Sequence, residues 1–249
     1  MMSSLWSLPL SKFDGLPIRC APGTHDAAAE LIAAHVPVEG AVLDLAAGTG
    51  AFLARLKHKG FTRLNAVELD VKNFAFSDVQ PISVDLNSDF SQTFDRQFDL
   101  VTAIEIIEHL DSPRHFLREI WNLLSPDGYL ALSTPNIAHW VGRLRFAASG
   151  ELRYFRERDY HHQRHISPIA DGHMRLMLKE IGFGLVKRTT AGSFWGPLKR
   201  AVAAPATLMA RTFLGPVSRG DVCVYLVQKT GPDSESEGRS SLAYVHRHD

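Results

Sequence analysis

The chain has 249 residues, enough for one large domain with room for an elaboration. Its 27 basic and 27 acidic residues cancel, and hydrophobic and charged shares of 45% and 22% are those of an ordinary globular protein, which argues against a dedicated nucleic-acid binder. Two distant cysteines, Cys20 and Cys223, exclude a disulfide framework and a cysteine zinc site; no secretory leader or membrane-spanning run is read, so the expected location is cytoplasmic.

Thr24 is placed to cap a helix over 24–35. A buried strand at 41–45 leads through small residues into a helix at 51–59, closed by Gly60. Apolar strands follow at 64–69 and 79–84, with too short a connection between them for a crossover helix. Next come a strand at 98–103, an amphipathic helix at 113–124 and a turn at 125–128. Phe116, Leu117, Ile120, Leu123 and Leu124 share that helix's apolar face. Strands at 129–133, 184–190 and 221–229 and a helix at 168–181 complete the pattern. Alternation of this kind predicts an α/β fold with a doubly wound, mostly parallel, seven-stranded sheet. The domain is expected over 24–230, after an N-terminal extension at 1–23. Helical insertions at about 137–165 and 193–218 belong at the sheet's carboxyl edge, and the polar tail 231–249 is expected to be disordered. Pro197 and Pro205 should break any long helix in the second insertion.

The stretch Asp44-Leu45-Ala46-Ala47-Gly48-Thr49-Gly50 is the most informative. Small residues let a ligand approach the backbone, and the helix that follows offers free N–H groups. A dinucleotide fingerprint would place its acid roughly 20 residues later, and a phosphate loop would need Gly-Lys-Ser/Thr, which is absent. The pattern resembles motif I of the class I S-adenosylmethionine methyltransferases, D/E-x-G-x-G-x-G, with Ala46 in place of the first glycine. Acids recur at later strand ends, as Glu68-Leu69, Asp85-Leu86 and Ile104-Glu105, where open α/β sheets bind ligands. The resemblance implies that Asp44, Ala46, Gly48, Gly50, Glu68, Leu69, Asp85, Leu86, Ile104 and Glu105 contact S-adenosylmethionine. Glu68 would take the ribose hydroxyls and Asp85 the adenine amine. The likeness continues through 98–103, 105–110, 116–119, 125–128 and 133–136. Over about 24–190 the chain is similar to the ubiquinone-biosynthesis O-methyltransferases and their small-molecule relatives.

Glu105-x-x-Glu108-His109 carries two readings. His109 suits a general base for a hydroxyl acceptor, with Glu108 and His162 as helpers. A similar segment in small-RNA 2′-O-methyltransferases and some quinone-forming ones binds a metal, which implies a divalent ion on Glu105, Glu108, His109 and His162. Pro135-Asn136 and the arginine-rich run behind it resemble the MetW proteins of methionine biosynthesis, and that branch implies a SAM-binding partner or regulatory protein without turnover of its own. Asn136, Arg143, Tyr160 and Arg164 are the acceptor-contact candidates. The expected acceptor is a small molecule or glycan, phosphorylated or lipid-linked, methylated at a hydroxyl oxygen. No nucleic acid is expected, and the protein should be a monomer or homodimer. The apolar and basic segment 194–214 is read as packing on the protein's own core or a dimer contact, or as membrane-surface contact.

Overall fold

The computed structural model describes residues 11–195 and 197–231; residues 1–10, Gly196 and the tail 232–249 lie outside the described residues. A two-residue hairpin, β1 (Lys12–Phe13) and β2 (Leu16–Pro17), precedes α1 (Thr24–Ala33). Thr24 is the first helical residue rather than the cap; Gly23 holds the cap position in a left-handed conformation. Then follow β3 (Ala41–Leu45), α2 (Ala51–His58), β4 (Arg63–Val67), β5 (Phe98–Ile104), α3 (Pro113–Leu123) and β6 (Leu124–Pro135). The first insertion holds α4 (Trp140–Ser149) and α5 (Glu157–Gln163). After it come α6 (Asp171–Ile181), β7 (Phe183–Ala191), α7 (Pro197–Leu214) and β8 (Val222–Lys229).

Among the described residues the main sheet has six strands in the order β4-β3-β5-β6-β8-β7. β4, β3, β5 and β6 pair in parallel, and β8 runs antiparallel to both neighbours. The expected seventh strand at 79–84 is a single parallel bridge between Val67 and Ile82. Pro81 has no N–H for the ladder, and the Ser83 hydroxyl donates to the Leu69 carbonyl. The expected turn at 125–128 lies inside β6, as a bulge between the Phe98–Leu124 and Leu100–Tyr129 pairs, with Asp127 at φ 61.

Strand side chains alternate between two cores. Leu43, Leu45, Val101, Ala103, Leu130 and Leu132 face Phe116, Leu117 and Ile120 of α3 and Met174 and Leu178 of α6. Val42, Leu100, Ala131, Val224 and Leu226 face Ala28 and Ile32 of α1 and Phe52 and Leu56 of α2. Ser112 caps α3 and Pro113 opens it, where a missing N–H costs nothing. The second insertion is an 18-residue helix, not a broken segment. Pro197 sits at its first position. Pro205 lies within a run containing Ala201, Ala203, Ala204, Ala206 and Ala210, whose helix propensity offsets one lost hydrogen bond.

Candidate active site

β3 connects outward to β4 on one side, and β5 lies on its other side, so the strand order reverses between β3 and β5. A crevice opens at such a switch point, beyond the strands' carboxyl ends. The first residue after each of these two strands is left-handed and not glycine: Ala46 at φ 57 and Glu105 at φ 54. Such backbone costs of order 1–3 kcal/mol per residue and concentrates at functional sites.

The turn after β3 is built around two glycines with different duties. A Cβ on Gly50, at φ 84, would come within 2.4 Å of the Phe76 Cβ and 3.1 Å of the Phe74 ring, so glycine is needed for packing. A Cβ on Gly48, at φ 57, would have no atom within 4 Å: this is open space above the turn, fit for a ligand. Gly48 N–H donates to Glu68 Oε2 at 2.8 Å, and Asp70 N–H donates to Glu68 Oε1 at 3.2 Å, so Glu68 braces the turn. Thr49 donates to the Pro17 carbonyl at 2.7 Å, which pins the N-terminal hairpin against the same turn. Leu69 is exposed and Leu86 buried; Asp85 is exposed and accepts from Asn87 N–H at 2.9 Å. These features fit a nucleoside-type ligand lying across the strand ends.

Asp44 is buried within β3 and accepts from the Thr102 hydroxyl at 2.5 Å. Burial pushes its carboxyl up to about 7; the Thr102 bond opposes this and the Glu68 charge adds to it. Glu105 N–H donates to Ser133 Oγ at 3.0 Å, and that hydroxyl donates to Glu105 Oε1 at 3.1 Å. Burial raises Glu105 to about 7, with Ser133 opposing. Glu108 is fully buried and raised well above the usual carboxylate range, first by burial and then by Glu105. Thr134 donates to its Oε2 at 3.1 Å, while its Oε1 has no hydrogen-bond partner and lies 3.8 Å from His109 Nε2.

His109 meets His165, not His162. Glu108, His109 and His165 each offer one ligand atom, and these atoms lie within 4.8 Å of one another. His165 Nδ1 donates to the Tyr154 carbonyl at 2.8 Å, which leaves Nε2 with its lone pair. An orphaned buried carboxylate oxygen beside two imidazoles is a donor set suited to a divalent cation. His162 is an exposed residue of α5 and does not belong to this set. Burial, and then His165, lower the His109 pKa below 6.5, while bonds to the Gln163 and Arg164 backbone oppose the shift. A cavity of about 420 Å³, lined in part by Phe155, Arg156, Tyr160, His165 and Ile166, opens beside the cluster.

Two acceptor candidates bond to backbone groups, Asn136 buried and Arg143 exposed. The Asn136 amide nitrogen lies 2.7, 3.1 and 3.0 Å from the carbonyls of Val217, Arg219 and Gly220, and its oxygen accepts from Ala138 N–H at 3.0 Å. Its amide joins β6 to the loop before β8. Arg143 Nε donates to the Ala138 carbonyl at 2.9 Å. Tyr160 borders the 420 Å³ cavity; Arg164 ends α5 in a left-handed conformation at φ 57. Arg153 Nη2 pairs with Asp221 Oδ1 at 2.8 Å, and its Nη1 donates to His139 Nδ1 at 2.8 Å. Burial and then Arg153 lower His139 to about 4, so it is neutral in this knot. The sequence reading missed His165, Ser133 and Thr134, and also Cys20. Burial and then Glu105 raise the Cys20 thiol to about 12.

A family model described as a methyltransferase domain matches residues 19–188. The mitochondrial ubiquinone biosynthesis O-methyltransferase of Dictyostelium discoideum is 27% identical over 120 residues, 41% of this chain and 37% of the relative. Its counterpart from Caulobacter vibrioides is 29% identical over 113 residues, 42% of this chain and 44% of the relative. The aligned stretch thus spans about two fifths of these relatives' length. The crystal structure of a SAM-dependent methyltransferase from Archaeoglobus fulgidus superposes with a TM-score of 0.57 at 17% identity, covering 82% of this chain and 94% of that one, which supports the fold.

Proposed function

The chain belongs to the methyltransferase-domain family, and we propose that it methylates a hydroxyl oxygen of a small-molecule or glycan acceptor, with S-adenosylmethionine as donor. Bound S-adenosylmethionine supplies a methyl group already made electrophilic by its sulfonium. The protein's task is therefore alignment and removal of one proton. The turn at Ala46–Gly50 leaves the space above Gly48 for the donor. Glu68 exchanges its backbone donors for the ribose hydroxyls, and Asp85 is exposed just beyond the Ile82 bridge. The strained Glu105 aims its carboxyl back at Ser133 and keeps the end of β5 clear.

The observation that carries the hydroxyl assignment is the convergence of Glu108, His109 and His165 beside the 420 Å³ cavity. These three would hold a divalent cation, which supplies acidification of a hydroxyl near it. With the set unmetallated, His109 is neutral near pH 7 and accepts the hydroxyl proton on a ring nitrogen. Tyr160 and Phe155 give the acceptor an aromatic wall, which suits a ring or sugar, and the Arg156 guanidinium beside them is held by Asp159 at 2.9 Å.

The test is calorimetric titration of S-adenosylmethionine and S-adenosylhomocysteine, with chelator and then with Mg²⁺, Mn²⁺ or Zn²⁺, followed by a screen of hydroxyl acceptors. Micromolar binding and methylation that falls with chelator support the proposal. Absence of binding under every condition sinks it. Binding without turnover of any acceptor, unaltered by His109→Ala, assigns the protein to the partner role instead.

A further inference from the structure

We propose that α4 and α7 together form a docking surface for an anionic lipid bilayer. On α7, Ala203, Thr207 and Ala210 turn inward, with Ala210 buried. Val202, Met209 and Phe213 follow one another at helical spacing on a different face and are 76%, 62% and 77% exposed. Leu208, beside them, is 63% exposed. α4 touches α7, and every residue of it after Gly142 is exposed, including Leu144 and Phe146. Eight of the fourteen large exposed hydrophobics among the described residues lie in 144–146 and 194–214. One apolar side chain on a surface needs no account, but a cluster of this kind marks an interaction site.

The charge pattern names the occupant. The whole chain is balanced, yet 137–150 and 192–220 contain no aspartate or glutamate. The basic residues there include Arg143 on α4, Arg211 on α7 and Arg219; Arg145 on α4 is paired with Glu151 at 3.2 Å. An apolar face within acid-free segments suits an anionic lipid surface, with Arg143 and Arg219 exposed for phosphate headgroups, while Arg211, nine residues from Val202, points to the other side of α7. A second copy of this chain would bring the same basic face to an isologous contact, and like charges would oppose it. Among the described residues no helix is long and apolar enough to cross a membrane, so the mode is interfacial. Both helices start from the sheet's carboxyl edge: α4 follows β6 and α7 follows β7, and Trp140 at the start of α4 meets Trp195, just before α7, edge-on at 6.1 Å. A docked bilayer would therefore lie beside the sheet's carboxyl edge.

The experiment is sedimentation of the full chain with phosphatidylcholine vesicles, with and without phosphatidylglycerol. Binding to the anionic vesicles is expected, weakened by added salt and reduced at least tenfold in Val202→Ser/Met209→Ser/Phe213→Ser. S-Adenosylhomocysteine affinity and the melting temperature of that variant should match the parent, because the three side chains are exposed. Failure of the parent to bind anionic vesicles, or equal binding by the triple variant, overturns the proposal. So does a concentration-dependent dimer that the triple variant dissolves in the absence of vesicle binding.

Discussion

His109 and His165 meet edge to face, with ring centroids 4.8 Å apart and planes at 79°, although one follows β5 and the other follows α5. The contact closes the first insertion over the end of β5. The backbone does the same, since the Glu108 carbonyl accepts from both Ile166 and Ser167 N–H at 3.0 Å. The position of Glu108 is thereby set by a loop far away in sequence.

Replacement of the two neighbouring histidines should separate their roles. His165→Ala is expected to weaken Mn²⁺ or Zn²⁺ binding by at least tenfold, since even outer partners of metal ligands are worth about 10–100-fold. His162→Ala should leave the affinity unchanged, because that side chain is exposed on α5. Equal losses in both variants, read by calorimetry, would remove His165 from the ligand set.

The two turn glycines should respond in opposite ways. Gly50→Ala forces a Cβ onto Phe76 at 2.4 Å and should cost about 2–4 kcal/mol in denaturant unfolding. Gly48→Ala meets no atom, so it should cost only the left-handed penalty of about 1–2 kcal/mol. Its added methyl enters the proposed donor space, so S-adenosylhomocysteine affinity should fall in Gly48→Ala by at least tenfold. A Gly48→Ala protein that binds as tightly as the parent would mean the donor lies elsewhere.

Local chemistry made part of this legible. Glu68 and Glu105 just past strand ends, the small-residue turn and the apolar face of α3 from Phe116 to Leu123 lie where the periodicity puts them, whereas Asp85 follows a single bridge and Leu124 opens β6. The exchange of His165 for His162 was not legible, because it depends on Arg164. That residue turns left-handed at φ 57 and redirects the chain, so the histidine after the helix rather than the one within it reaches His109. The role of Asn136 was hidden for a similar reason: its three carbonyl partners are more than 80 residues away in sequence.

Asn136→Ala should behave as a folding variant. It strands three partly buried carbonyls and one N–H, an expected loss of about 1–3 kcal/mol. Proteolysis at 215–221 should quicken, while S-adenosylhomocysteine affinity holds. A loss of that affinity with an unchanged melting curve would return Asn136 to the binding site.

Asp44 gives the pH dependence its sign. The carboxyl ionises near 3.8 in the unfolded chain and at about 7 in the fold, chiefly because it is buried. As pH rises from 4 to 7 the unfolded state releases its proton first, so this group lowers stability across that window and the loss persists above it. Roughly three pKa units correspond to at most about 4 kcal/mol. Asp44→Asn keeps an acceptor for the Thr102 hydroxyl and has no charge to desolvate. Between pH 5 and 8 the parent should therefore lose melting temperature relative to Asp44→Asn, by on the order of 10 °C. Parallel melting profiles for the two proteins over that range would show that Asp44 is ionised throughout and that burial is relieved by solvent. A gap that widens with pH would establish a carboxyl held neutral at the switch point of the sheet.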